Sequence, residues 1–81
     1  MKALLIQLNS QRHCLAGLPN GGIEVSVGWA KKQSDSPYHI SVYGVDLETE
    51  QVSLWPDAIL QVGDEVKIVV VDVDHADQPE H

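Results

Sequence analysis

In the run GIEVSVGWAKK, Ile23, Val25, Val27 and Trp29 alternate with Glu24, Ser26, Gly28 and Ala30. Successive side chains of an extended chain point to opposite faces, so this run is a half-buried strand with one apolar side and one wet side. Period-two alternation of this kind recurs along the chain, and no helical periodicity is sustained over the length of an ordinary helix. That excludes a helical bundle and any fold in which helices cover a parallel sheet.

The remaining strands follow from the same pattern and from turn chemistry. ALLIQLN and QRHCLAG read as two short strands reversing at Asn9 and Ser10, residue types that favour tight turns. LPNGG is expected to make a second reversal, with Asn20 and Gly21 supplying positive φ angles. KKQSDSP is polar and ends in proline, an exposed loop. YHISVYGVD directs Tyr38, Ile40 and Val42 inward and His39, Ser41 and Tyr43 outward. VSLW is a short strand, and Pro56 followed by DAIL predicts one turn of helix. After the reversal QVGDE, Val66 to Val73 closes the domain with two apolar rows, Val66, Ile68 and Val70 on one face and Val69, Val71 and Val73 on the other. Two apolar faces predict a central strand in a curled sheet; a bulge near Val69 or a subunit contact would satisfy them as well.

The expected fold is therefore all-β, a small antiparallel barrel or sandwich of about six strands with one short helical turn near residues 56–60. At 81 residues the chain is one domain, and it buries only about 60% of the surface its unfolded form exposes. Residues 1–73 are expected to form the β domain and residues 74–81 a flexible acidic tail. Cys14 is the single cysteine, so no disulfide can form within one chain, which suits a reducing compartment. The apolar run after Met1 is too short for a secretory signal and nothing approaches a membrane-spanning helix, so a cytoplasmic location is expected.

Charge narrows the partners. The formal net charge is -7, and beyond Lys32 only one base, Lys67, stands among eleven acids. Nucleic acid and anionic membrane both draw on Lys and Arg for affinity, so neither is expected to bind. A basic protein surface is the expected partner.

Reactive constellations are sparse. Cys14 lies beside His13, but neighbours on a strand face opposite ways, so His13 is not placed to activate the thiol and Cys14 reads as a small core side chain. The tail carries Asp72, Asp74, His75, Asp77 and His81, yet Ala76 and Asp77 occupy the fifth and sixth positions where a calcium loop needs an oxygen ligand and a glycine. No phosphate-binding glycine loop and no paired CxxC is present. No catalytic residue, metal or cofactor is expected. Surface recognition remains, with Tyr43 and Trp55 as aromatic anchors inside an acidic rim of Asp46, Glu48, Glu50 and Asp57.

The order LN-x-Q-R-x-C-x-A-G-L, then GG-x-x-x-V-x-V-x-W, then Y-G-V-D-x-x-T with LW and L-x-VGDEV-x-I resembles a group of small, acidic, all-β bacterial proteins. Most of them have no assigned activity; some are immunity proteins of polymorphic or contact-dependent toxins. The resemblance spans the chain to about Val73 and rests on turn and core positions. It implies a toxin inhibitor that works by occlusion. For a nuclease toxin, the acidic second half would imitate a phosphate backbone in the basic cleft. The competing expectation is an accessory or ligand-binding β module, a homodimer formed through the Val69, Val71 and Val73 row.

Overall fold

The computed structural model describes residues 1–29 and 38–80. Seven strands run in order: β1 (Lys2–Leu8), β2 (Gln11–Gly17), β3 (Gly21–Trp29), β4 (Tyr38–Asp46), β5 (Val52–Leu54), β6 (Ala58–Leu60) and β7 (Val66–Asp72). They make two antiparallel sheets, β2-β1-β7 and β3-β4-β5, with β6 also paired to β4. The sheets pack as an open sandwich, the second of the two architectures expected from the sequence. The expected loop KKQSDSP lies outside the described residues.

The core fills the space between the sheets. Ile6, Cys14 and Ala16 come from the three-stranded sheet, and Ile40, Val42, Trp55 and Leu60 from the four-stranded one. Trp55, at 1% exposure, is the largest fully buried side chain. Its indole Nε1–H donates to the Asp77 carbonyl at 3.0 Å, which meets the need of a buried indole for a partner.

Tight turns obey local chemistry where consecutive strands pair. Asn9 and Ser10 join β1 to β2 with φ of 52° and 67°, the left-handed pair a two-residue hairpin requires. Asn9 is braced by the approach to β7 at the same end of the sheet: its Nδ2 donates to Asp64, and its Oδ1 accepts from the Glu65 amide. Gly63 turns that second corner at φ 95°, a conformation that costs glycine little. The expected left-handed turn at Asn20 and Gly21 does not occur; neither residue has positive φ. β2 and β3 belong to different sheets, so Leu18–Asn20 arches between layers and no hairpin geometry is needed.

The helical turn expected at residues 56–60 is instead a bulge and a strand. β5 pairs with Tyr43, Gly44 and Val45, and β6 with Tyr38, His39 and Ile40, so the two continue one another along β4. Trp55, Pro56 and Asp57 face only Ser41 and Val42, and the register slips by one. Proline lacks the N–H a ladder needs and is tolerated at such an interruption. Burial of Trp55 and Leu60 on one side of this strand outweighs the preference of Pro56 for a helix start.

β7 is an edge strand, not a central one, pairing only with β1 among the described residues, from Lys2 opposite Asp72 to Leu8 opposite Val66. Its Val69, Val71 and Val73 row is half-buried on the outer face beside Leu5. The inward row runs past the cover of the other sheet, leaving Ile68 45% and Val70 74% exposed.

The segment expected to be a loose tail is docked. From β7 it crosses to β2, passing so close to Gly17 that a Cβ there would lie 3.3 Å from the Ala76 methyl. Asp77 then pairs with β2 as an added strand would: its amide donates to the Leu15 carbonyl at 2.8 Å, and its Oδ2 accepts from the Leu15 amide at 2.9 Å. Its Oδ1 meets Arg12 at 2.6 Å, and the Glu80 amide donates to Leu54 of the other sheet. This strap closes one long side of the sandwich.

Candidate functional site

Cross-strand neighbours in the four-stranded sheet fix what its outer face presents. Glu24, Tyr43 and Leu54 form one row; Gly22, Val45 and Val52 form the next; Gly28, His39 and Ile59 lie at the far end. Val52, Leu54 and Ile59 are exposed by 57%, 43% and 70%. Tyr43 and Val45 are half-buried between them. The apolar stripe is bordered by Glu24 and Asp57, both exposed.

The β4–β5 hairpin extends this face. The Asp46 carboxylate accepts the amides of Glu48 and Thr49, while the Glu50 amide donates to the Asp46 carbonyl. Glu50 takes a left-handed φ of 60° to close the turn. Hydrogen bonds from the Thr49 and Glu48 amides hold the Asp46 carboxyl below its usual pKa of 3.8. The turn is further tied down by the Leu47 amide, which donates to the Asn20 carbonyl. Leu47, Glu48 and Glu50 consequently project into solvent.

Five of the six residues expected at a binding surface are therefore on this sheet or its hairpin with some exposure: Tyr43, Asp46, Glu48, Glu50 and Asp57. Trp55 is not among them. VSLW alternates about the sheet, so Val52 and Leu54 point out and Trp55 points into the core. The large apolar side chains exposed here are Val52, Leu54, Leu47 and Ile59, none of them aromatic; the alternation of Val52 and Leu54 with Ser53 is the sequence signal for two of them.

Among the described residues, the cationic side chains lie on one sheet only. Lys2, Arg12 and Lys67, the cations among the described residues, all sit on the three-stranded sheet. Lys2 is paired with Asp72 and Arg12 with Asp77. The four-stranded sheet and its hairpin carry Glu24, Asp46, Glu48, Glu50 and Asp57, and no cation among the described residues.

Reactive groups are placed differently. His39, Ser41 and Asp57 line one shallow depression with Ala58 and Ile59, but no hydrogen bond joins them, and a nucleophile–base relay depends on such bonds. Cys14 is 1% exposed, and burial, with the Asp77 carboxylate adding to it and Arg12 opposing, pushes its thiol up to about 11. His13 sits at a bulge in β2, the extra residue between Arg12 opposite Gln7 and Cys14 opposite Ile6, and its ring reaches the other sheet: its Nε2 lies 2.6 Å from the Pro56 carbonyl, which can only accept, so Nε2 carries the proton. In the tail, Asp72 binds Lys2 and the N-terminal amine while Asp77 binds Arg12 and β2. No cluster of three metal-ligating side chains gathers among the described residues, and His81 lies outside them. No helix among those residues is long and apolar enough to cross a membrane.

No family model, no curated protein and no solved structure matches the chain.

Proposed function

We propose that this chain is a binding protein that docks a basic protein partner on the outer face of its four-stranded sheet and acts by occlusion, as an immunity protein blocks a toxin. The observation that carries this reading is the continuity of Tyr43, Val45, Val52 and Leu54 within a border of Glu24, Glu48 and Glu50, on a sheet whose described residues include no cation. Apolar centres within charged rims supply affinity and steering respectively. A nuclease-type toxin domain, whose cleft must be basic to hold phosphates, is the partner class that fits best.

The test is protection of cells expressing nuclease-type toxin domains, taken first from any toxin reading frame that adjoins the gene for this chain, with binding of the purified domain measured alongside. Leu54→Arg and the triple charge reversal Glu24→Lys, Glu48→Lys, Glu50→Lys should each abolish protection and weaken binding at least about a hundredfold while the far-ultraviolet spectrum stays β. Undiminished protection by both variants, or failure of the parent chain to protect, overturns the reading.

A further inference from the structure

The side of the sandwich opposite the strap is open among the described residues. There β7 and β3 are both edge strands, and a shallow cavity lined by Lys2, Ala3, Leu4, Gly21, Ile23 and Val70 runs between them. Hydrogen bonds at its ends set the phase of each edge. The Val73 amide donates to Met1 and the Asn9 amide to Glu65, and the register between β1 and β7 is unbroken. Antiparallel residues alternate between facing and leaving their partner, so Lys67, Val69 and Val71 turn their amides toward β1. The amides and carbonyls of Val66, Ile68 and Val70 point away. On β3, the Leu47–Asn20 bond likewise leaves Ile23, Val25, Val27 and Trp29 with outward main-chain groups. In both edges, the residues with free main-chain groups are those whose side chains point into the cleft.

We infer that the free edge of β7 accepts an extended segment of a partner protein as an added strand, apolar in alternation and basic at both ends. Main-chain hydrogen bonds to Val66, Ile68 and Val70 would hold it, and its alternate side chains would cover Ile68 and Val70. Charge chooses the occupant. Exposed Asp64 and Glu65 stand at one end of β7 and exposed Asp74 at the other. Between them Val66–Val71 carries no carboxylate, and Lys67 alternates onto the outer face. A second copy is disfavoured: in the two antiparallel registers that overlap the apolar run most fully, Asp64 falls opposite Asp72 or Asp74 of the other copy, and like charges directly opposed destabilise a sheet. This docking is independent of the sheet-face reading above.

The test uses the peptide Lys-Lys-Val-Thr-Val-Thr-Val-Lys-Lys and its analogue with glutamate in place of every lysine, titrated into the isotope-labelled chain. The lysine peptide should shift the amides of Val66, Ile68 and Val70 and slow their hydrogen exchange; the glutamate analogue should bind at least about tenfold more weakly at low salt. Val70→Pro removes an N–H that faces solvent, not β1, and should abolish the effect with the remaining spectrum retained. Val70→Lys, which places a charge at the cleft, is the second variant should proline unfold the strand. Absence of binding by the lysine peptide, equal binding by both peptides, or binding retained in a folded variant overturns the inference. So does a sedimenting dimer whose interface maps to β7. Shifts confined to Tyr43 and Leu54 overturn it too, while leaving the sheet-face reading standing.

Discussion

Asp77 holds the strap through four of its groups, two on the main chain and two on the carboxylate, so Asp77→Ala tests how far the C-terminal segment is part of the fold. Its Oδ2 accepts the Leu15 amide at 2.9 Å in a half-buried setting. A hydrogen bond to a charged group is worth about 1.5–3 kcal/mol. The Oδ1 contact with Arg12 joins two partly exposed groups, so it adds only about 0–1 kcal/mol. Alanine keeps the main-chain bonds to Leu15 and Trp55 but leaves the Leu15 amide without its acceptor. The expected loss is about 2–3 kcal/mol, which in a domain of this size lowers Tm by roughly 10–20 °C. Asp77→Asn, which retains an acceptor oxygen, should fall between the parent and alanine, and Arg12→Ala should cost under about 1 kcal/mol. Thermal and urea unfolding followed by fluorescence in a Trp29→Phe background reports Trp55 alone. A Tm for Asp77→Ala within about 2 °C of its parent, with unchanged Trp55 emission, refutes the closure by the strap.

Three further outcomes are expected. Cys14 should resist alkylation at pH 8 in the folded chain and react at once in urea; because burial raises its pKa from 9.0 to about 11, its contribution to stability is complete below pH 9 and is lost as pH rises through 11. Asp46, Asp64 and Asp72 have depressed pKa values: amides of Thr49 and Glu48 act on the first, the Gln61 amide and Asn9 on the second, Lys2 and the N-terminal amine on the third. Their contribution is present above the unfolded value of 3.8 and lost as pH falls through the folded values, so acid titration should leave stability level to about pH 5 and lower it below about 4. Trp55→Ala should cost about 3–5 kcal/mol by leaving a cavity, whereas Trp29→Ala, at a side chain 58% exposed, should cost under about 1 kcal/mol; comparable losses in urea denaturation would contradict the burial of Trp55.

The alternation of Ile23 and Val25 with Glu24 and Ser26, and the turn at Asn9 and Ser10, were legible because each depends on neighbours in sequence. The central position expected for β7 does not occur because its two apolar rows are satisfied by unlike means. Val69, Val71 and Val73 lie half-buried beside residues of β1, and Ile68 and Val70 remain in solvent. Trp55 and the strap were hidden for one shared reason. The indole becomes a core residue because the carbonyl of Asp77, distant in sequence, comes to meet it, and nothing in the polarity of DVDHADQPEH announces that contact. On the outer face of the four-stranded sheet, the carboxylates are visible in composition and the outward direction of Val52 and Leu54 in their alternation with Ser53, but that Tyr43 and Val45 stand beside them follows only from the cross-strand register.

The three-stranded sheet is made from the two ends of the chain, since Lys2 pairs with Asp72, whereas the four-stranded sheet comes from a continuous middle stretch. Closing β1 onto β7 encloses residues 3–71 in one loop, the slowest kind of contact to form. During synthesis the β3–β4–β5 meander can therefore assemble while β1 still waits for its partner to leave the ribosome. Maturation of the domain is timed by the emergence of its last strand.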